Sequence, residues 1–279
     1  MLQHWRIRFQ LFQQVTVEGT AWILCAEMLK MARTIIGLET SANGGFSLNQ
    51  VTGSISHDRG VTYLAAGEVY ECTLSTFDGE GTVFLQKLAE RVPIQYTLPG
   101  IEVEMVVTAV DARGNAQSYA NLLESGFERG KFDQLEVRFL SPTALPSANA
   151  EAGMGFPTPS FVVQALTSQW NLYNDIEFLV DAEPLVRWVT PQAYSISADM
   201  KRQPGPGGQT HLAFQGTVKY NCGSDIPDFS AGILRALFWL GTYTGIGLDS
   251  RFGWGHMRVR IEQVARAGIG QPLSTKRGH

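Results

Sequence analysis

The order of periodic segments predicts an α+β protein built as two tandem ferredoxin-like (RRM-like) domains, the second with a C-terminal glycine-rich loop. Three observations carry that expectation. Strand, helix, strands, helix and strand follow one another over residues 4–110, which is the split βαβ order. The same grammar returns between residues 135 and 263. Near the end of that second pass, five glycines fall within residues 241–255, between an apolar helix-like segment and a strand-like one.

Each element has its own signal. Trp5, Ile7, Phe9 and Leu11 alternate with polar neighbours inside 4–18, the pattern of a strand. Gly19 opens a helix whose residues Trp22, Cys25, Leu29, Ala32 and Ile36 step by three and four, with Glu27, Lys30 and Thr34 on the other side and Gly37 as the stop. Residues 46–76 read as two or three strands, turning at Gly53, at Asp58-Arg59-Gly60 and at Gly67. Residues 79–91 read as a short helix and 101–110 as a Val-rich strand. The halves join near 113–133, and we divide the chain into domains 1–125 and 126–279.

In the second half, Leu135, Val137 and Phe139 alternate with Glu136 and Arg138. A loop rich in Pro, Ala, Ser and Gly covers 141–160, and a helix is expected at 161–174. Residues 192–201 alternate with Tyr194, Ile196, Ala198 and Met200 on one side. Over 211–222, Leu212, Phe214, Val218, Tyr220 and Cys222 point one way, while His211, Gln215, Thr217, Lys219 and Asn221 take the polar face. A helix at 228–241 keeps Phe229, Ile233, Leu237 and Leu240 in register, and a last strand runs over about 255–263. Each half is thus expected to be a four-stranded antiparallel sheet backed by two helices.

Composition narrows the function classes. The 279 residues are 44% hydrophobic and 17% charged, which excludes an intrinsically disordered chain. No apolar run reaches the roughly 18 residues of a membrane span, and the N-terminal Gln3, His4, Arg6 and Arg8 do not form a cleavable signal. Three scattered cysteines fit neither a disulfide framework nor a zinc ribbon, so a cytoplasmic location without a membrane partner is expected. The net charge of −4 conceals a gradient. Residues 1–100 carry 7 basic and 9 acidic side chains, 101–200 carry 5 and 13, and 201–279 carry 10 and 4, giving −2, −8 and +6. A basic C-terminal third attracts phosphate through its local field, even in an acidic protein.

The glycine-rich stretch holds Gly245, Gly247, Gly253 and Gly255 around Arg251. Glycines admit positive φ and let a backbone approach closely, and an arginine among them pairs with phosphate. No Gly-Lys-Ser/Thr follows, so it is not a P-loop, and its glycines follow a helix instead of opening one, unlike a dinucleotide fingerprint. From residue 229 to 260, this helix, loop and strand resemble the C-terminal signature of the CRISPR-associated endoribonucleases that process CRISPR precursor RNA, within the repeat-associated mysterious protein superfamily. Three more segments agree: Glu136-Val-Arg-Phe-Leu-Ser-Pro-Thr143, Phe161 to Tyr173 with Trp170, and His211-Leu-Ala-Phe-Gln-Gly-Thr-Val218. The N-terminal part agrees more loosely, through helix 20–36 and Gly44-Gly45-Phe46-Ser47-Leu48.

The resemblance implies metal-independent cleavage of repeat RNA to mature crRNA, without a cofactor. The RNA 2′-OH attacks the adjacent phosphorus while the protein accepts its proton and stabilises the charge. Relatives often carry a histidine between the first helix and the Phe-Ser-Leu-like strand. Here that loop, 37–45, has Glu39, Thr40, Ser41 and Asn43 instead. His57, in a turn beside Asp58 and Arg59, is the catalytic candidate, with Lys30 and Arg33 on the polar side of the first helix as electrostatic support. RNA-binding candidates are Arg251 with Gly245, Gly247, Gly253 and Gly255, then Lys201 and Arg202 before the Pro-Gly-Pro-Gly-Gly turn, His211, and Arg129 with Lys131 in the connector. Tyr243, Phe252 and Trp254 are candidates for stacking bases. Two other readings stay open: a catalytically silent subunit that holds the crRNA handle beside effector-complex subunits, and a protein-interaction module of the same fold.

Overall fold

In the computed structural model, which describes residues 1–18, 21–37, 45–58, 61–98, 102–145, 156–202, 209–250 and 253–262, the N-terminal alternation becomes strand β1 (Leu2–Leu11). Trp5, Ile7, Phe9 and Leu11 are buried on one face, and His4, Arg6, Arg8 and Gln10 occupy the other. β2 (Val15–Glu18) is a separate strand, because the polar residues Gln13 and Gln14 interrupt the apolar alternation. Helix α1 (Trp22–Ile36) buries Leu24, Cys25, Met28, Leu29, Ala32 and Ile36. It stops at Gly37, whose φ of 75° carries its N–H to the Arg33 and Thr34 carbonyls.

Four strands follow where two or three were expected: β3 (Phe46–Thr52), β4 (Ile55–Asp58), β5 (Val61–Leu64) and β6 (Val69–Thr76). Asp78 starts α2 (Gly79–Ala89) by accepting from the Gly81 N–H. β7 (Ile94–Leu98) is too short for its alternation to stand out in the sequence, and β8 (Val103–Gln117) runs past the expected end at 110. The strands form an antiparallel sheet in the order β3-β6-β1-β8-β7. Trp5 lies opposite Leu74 on one side, and Ile7 opposite Val110 on the other. β2, β5 and β4 form a second, small sheet. The buried faces of α1 and α2 share one core with β1, β6 and β8.

The stretch expected to join the halves is ordered structure: the end of β8 and helix α3 (Tyr119–Glu128), which Ser118 caps at the Asn121 N–H. The division at 125/126 falls inside that helix. The second half then runs β9 (Gln134–Thr143), α4 (Pro159–Tyr173), a short α5 (Glu183–Val186), β10 (Val189–Arg202), β11 (Thr210–Cys222), α6 (Asp228–Thr244) and β12 (Met257–Glu262). Its antiparallel sheet has the order β10-β11-β9-β12, with Val137 opposite both Val218 and Val259. With β7 and the small sheet set aside, both halves share one strand order: second, third, first, fourth. The fold is the expected tandem ferredoxin-like arrangement.

β10 departs from its pattern. It lies at the sheet edge, so Tyr194 and Met200 stay largely in solvent. Phe229, also expected inside, is 57% exposed at the start of α6. α3 crosses α6 backbone to backbone, since a Cβ on Gly126 would meet the Gly232 carbonyl oxygen at 2.4 Å. The core of the second half also takes in Leu2 and Phe77 from the first, and Tyr119 donates its hydroxyl hydrogen to the Phe77 carbonyl. Among the described residues, no helix is long and apolar enough to cross a membrane.

Candidate nucleic-acid interface

Polar side chains from both halves meet where β1 and β3 approach the end of α6. The His4 ring stacks on Tyr243, with centroids 4.4 Å apart and planes 12° from parallel. His4 Nδ1 lies 2.8 Å from Ser75 Oγ, and Asn49 Nδ2 donates to the same oxygen at 2.8 Å. That oxygen, already accepting from Asn49, is placed to give its own hydrogen to Nδ1. Ser47 donates to the Tyr243 carbonyl. His256, just before β12, completes the group. Its backbone N–H reaches Ser141 Oγ at 3.0 Å, and its ring donates to the Asn49 carbonyl. The other His256 ring nitrogen is then the basic one in the neutral form.

Burial lowers the His4 pKa below the usual 6.5. It lowers His256 further, to about 4, helped by the charges of Arg258 and of a protonated His4 and opposed by the Asn49 carbonyl. Both rings therefore favour the neutral form near pH 7.

The strand faces next to these histidines are rich in arginine. On β1, Arg6 bonds Glu71 and Asp111, and Arg8 shares Asp111. On the other sheet, Arg258 sits directly opposite Arg138, with Lys219 and Arg260 nearby paired to Glu136 and Glu262. Like charges opposite one another across a ladder are unfavourable in isolation. Neither Arg138 nor Arg258 has a carboxylate partner among the described residues, so this pair suits an anion. Also among them, no three His, Cys, Asp or Glu side chains gather as a metal site requires.

The second-half elements that carry Tyr243 and His256 match a known family. A family model described as CRISPR-associated endoribonuclease Cas6 matches residues 137–257, from β9 to the first residue of β12. By this match the second half of the chain, residues 137–257, is similar to the Cas6 family. Solved structures agree in fold along nearly the whole length. A Cas6 product complex is 16% identical, with 93% of this chain and 100% of that one covered at a TM-score of 0.68. A Thermus thermophilus Cas6 is 14% identical, with 93% and 98% covered at 0.64. A Cas6-related protein from Pyrococcus furiosus is 11% identical, with 94% and 100% covered at 0.58. No curated protein sequence matches the chain.

Few of the residues chosen from the sequence stand at the seam. His57 is exposed on the small sheet, with Nδ1 2.8 Å from Thr62 Oγ1 across the β4–β5 pair. Lys30 is exposed and pairs with Glu27. Arg33 is not on a polar surface: it is 5% exposed, with its guanidinium over the Phe46 and Phe84 rings. The closing of β3 and α2 over that turn of α1 turns an apparently polar position inward. His211 is likewise buried, at 2% exposure, and neither ring nitrogen has a hydrogen-bond partner. It shares its strand face with Ala213, which Trp254 of the glycine loop covers, so the face read as polar is capped at that end.

Lys201 and Arg202 are exposed at the end of β10, with Lys201 held by Asp199 at 2.9 Å. The turn at 204–208, loop 38–44, Arg59, Arg251 and Phe252 lie outside the described residues. Arg129 ends α3 with its guanidinium over Trp239, and Lys131 lies 4.0 Å from Asp228, so both dock on α6. Gly245, Gly247, Gly253 and Gly255 all have positive φ, as expected. Their close approach is to backbone of the same half, however: a Cβ on Gly247 would meet the Ala144 carbonyl oxygen at 2.3 Å. The N–H groups of Leu248 and Gly255 donate to the Ala144 and Pro142 carbonyls. Trp254 is buried, whereas Tyr243 reaches the seam.

The sequence does hold a signal for the group it hid. His4-Trp-Arg-Ile-Arg8 and His256-Met-Arg-Val-Arg260 share one pattern, a histidine followed by arginines on the same strand face. One lies on the first strand of the first half and the other at the last strand of the second.

Proposed function

We propose that this chain cleaves CRISPR repeat RNA to mature crRNA without a metal, using the two seam histidines as acid and base. The observation that carries the reading is the convergence of the two His-x-Arg-x-Arg strands, which brings His4 and His256 within electrostatic reach beside Arg258. The Cas6 match supplies the substrate class. In this mechanism the basic nitrogen of His256 takes the proton of a 2′-OH. The 2′-oxygen forms its bond to the adjacent phosphorus, and Arg258 and Arg138 stabilise the charge on the non-bridging oxygens. The P–O5′ bond then breaks, and protonated His4 delivers its proton to the departing 5′-oxygen. The products are a 2′,3′-cyclic phosphate and a 5′-hydroxyl. Solvent restores the two protonation states.

A second reading has its own observation. The loop that carries a histidine in relatives has none here, which favours a silent subunit that holds repeat RNA, beside other CRISPR proteins in an effector complex. Purified protein incubated with end-labelled repeat RNA in excess EDTA separates the two. Cleavage leaving a cyclic phosphate, lost by about 100-fold or more in His256→Asn with binding retained, supports the nuclease. Binding without cleavage in the parent supports the silent subunit.

A further inference from the structure

A cavity of about 190 Å³ opens at the same seam, one residue along the chain from Tyr243. Phe77 and Tyr173 form its aromatic side, with ring centroids 4.6 Å apart, and Ser168, Gln169, Thr244 and Ser250 bring polar groups to it. The volume is well below the roughly 300–1,000 Å³ that takes a drug-sized ligand. It exceeds the roughly 150 Å³ that holds a benzene ring in an engineered protein cavity. One planar ring with polar edges fits such a space.

The polar groups indicate which edges. The Gln169 side-chain carbonyl already accepts from the Thr244 hydroxyl. That leaves one lone pair on the oxygen and both hydrogens of Nε2, so Gln169 offers an occupant mainly a donor. A donor beside aromatic rings suits a flat heterocycle that carries a carbonyl oxygen. Uracil and cytosine have one ring and such an oxygen. Adenine has two rings and no carbonyl.

We propose that this cavity receives a single unstacked pyrimidine base of the bound RNA, stacked against Phe77 and Tyr173 and hydrogen-bonded through its carbonyl by Gln169. The assignment rests on the RNA reading above and adds a base-specific contact to it. Aromatic stacking alone tolerates any base, so the preference comes from Gln169 and from the size of the space.

The test is fluorescence anisotropy at low salt with oligo(U) and oligo(A) of about twelve nucleotides, a length within the range such sites cover. Parent protein, Gln169→Leu and Tyr173→Ala are compared after their melting temperatures are checked. Self-stacking of oligo(A) affects every variant equally, so the change in the oligo(U)/oligo(A) affinity ratio is the readout. Gln169→Leu is expected to bring that ratio from about fivefold or more to near one, and Tyr173→Ala to weaken oligo(U) about fivefold or more. In the parent, oligo(U) carrying 4-thiouridine should cross-link to Tyr173 or Phe77. If the parent binds oligo(U) but Gln169→Leu keeps the parent ratio, or the cross-link maps elsewhere, the pocket assignment falls and the RNA reading stands. If the parent binds neither oligomer nor repeat RNA, both fall.

Discussion

At the scale of single residues, the seam turns on how burial treats imidazole. Removing a histidine from water disfavours its charged form, and no carboxylate among the described groups acting on His4 or His256 offsets that. The base is therefore ready at neutral pH, but the acid is not. For the reaction proposed, kcat/KM reports the free protein: its acid limb should follow His256 near 4, and its alkaline limb should follow His4 below 6.5. The expected profile is a bell with its optimum between those values, falling about tenfold per pH unit on the alkaline side. Single-turnover cleavage in EDTA from pH 4.5 to 8 measures it, and an optimum above pH 7 would remove His4 from the acid role. Arg33 shows the opposite outcome for a charged side chain. Its guanidinium rests between two aromatic faces in the core, where an arginine contributes packing as well as charge.

At the scale of elements, the glycine loop after α6 is a clasp between strands of one half. Gly247 has φ 84°, and the space a Cβ would need is taken by the Ala144 carbonyl. Leu248 and Gly255 then hydrogen-bond the Pro142–Ala144 segment, which seals Trp254 over Ala213. Gly247→Val should cost about 1–3 kcal/mol from the positive φ alone, with the clash added. A melting temperature lowered by several degrees is the expected result, with any loss of RNA affinity per folded molecule confined to what the neighbouring cavity, which Gly247 borders, contributes. The reverse pattern, full stability with lost affinity, would show that the loop backbone itself approaches RNA. The α3–α6 crossing follows the same logic, since Gly126 and Gly232 let two helices meet without intervening side chains.

At the scale of the whole molecule, the seam also links stability to pH. His4 and His256 have lower pKa values in the folded chain than in the unfolded one, where the ordinary value is near 6.5. As pH falls below 6.5 the unfolded chain takes up these protons first, so folding weakens down to about pH 4 and is unaffected by these groups above 6.5. For His256 the loss is on the order of 3 kcal/mol across that window. Urea midpoints at pH 7, 6 and 5 should fall in the parent and fall less in His256→Asn. Parallel slopes for the two proteins would place the titration elsewhere. Because Leu2, Phe77 and Tyr119 bind the halves together apart from the histidines, this weakening should lower overall stability without separating the two halves.

What the sequence settled by itself is the tandem α+β grammar. Apolar periodicity along β1, α1, β9, β11 and α6 reflects local burial, and local burial repeats at the spacing of the backbone. Gly245, Gly247, Gly253 and Gly255 were equally legible as positive-φ positions, because that demand is set by the backbone of the residue itself, whereas Gly241 continues α6. Long-range contacts were not legible. Arg33 and His211 read as polar surface because nothing beside them in sequence announces Phe84, which the fold brings under the Arg33 guanidinium, or Trp254, which it brings over Ala213 on the face that His211 shares. β10 read as half-buried because alternation does not say which strand ends up at an edge. The His4–Tyr243–His256 group joins residues more than 230 positions apart, and its chemistry depends on partners and desolvation that exist only once the two sheets meet.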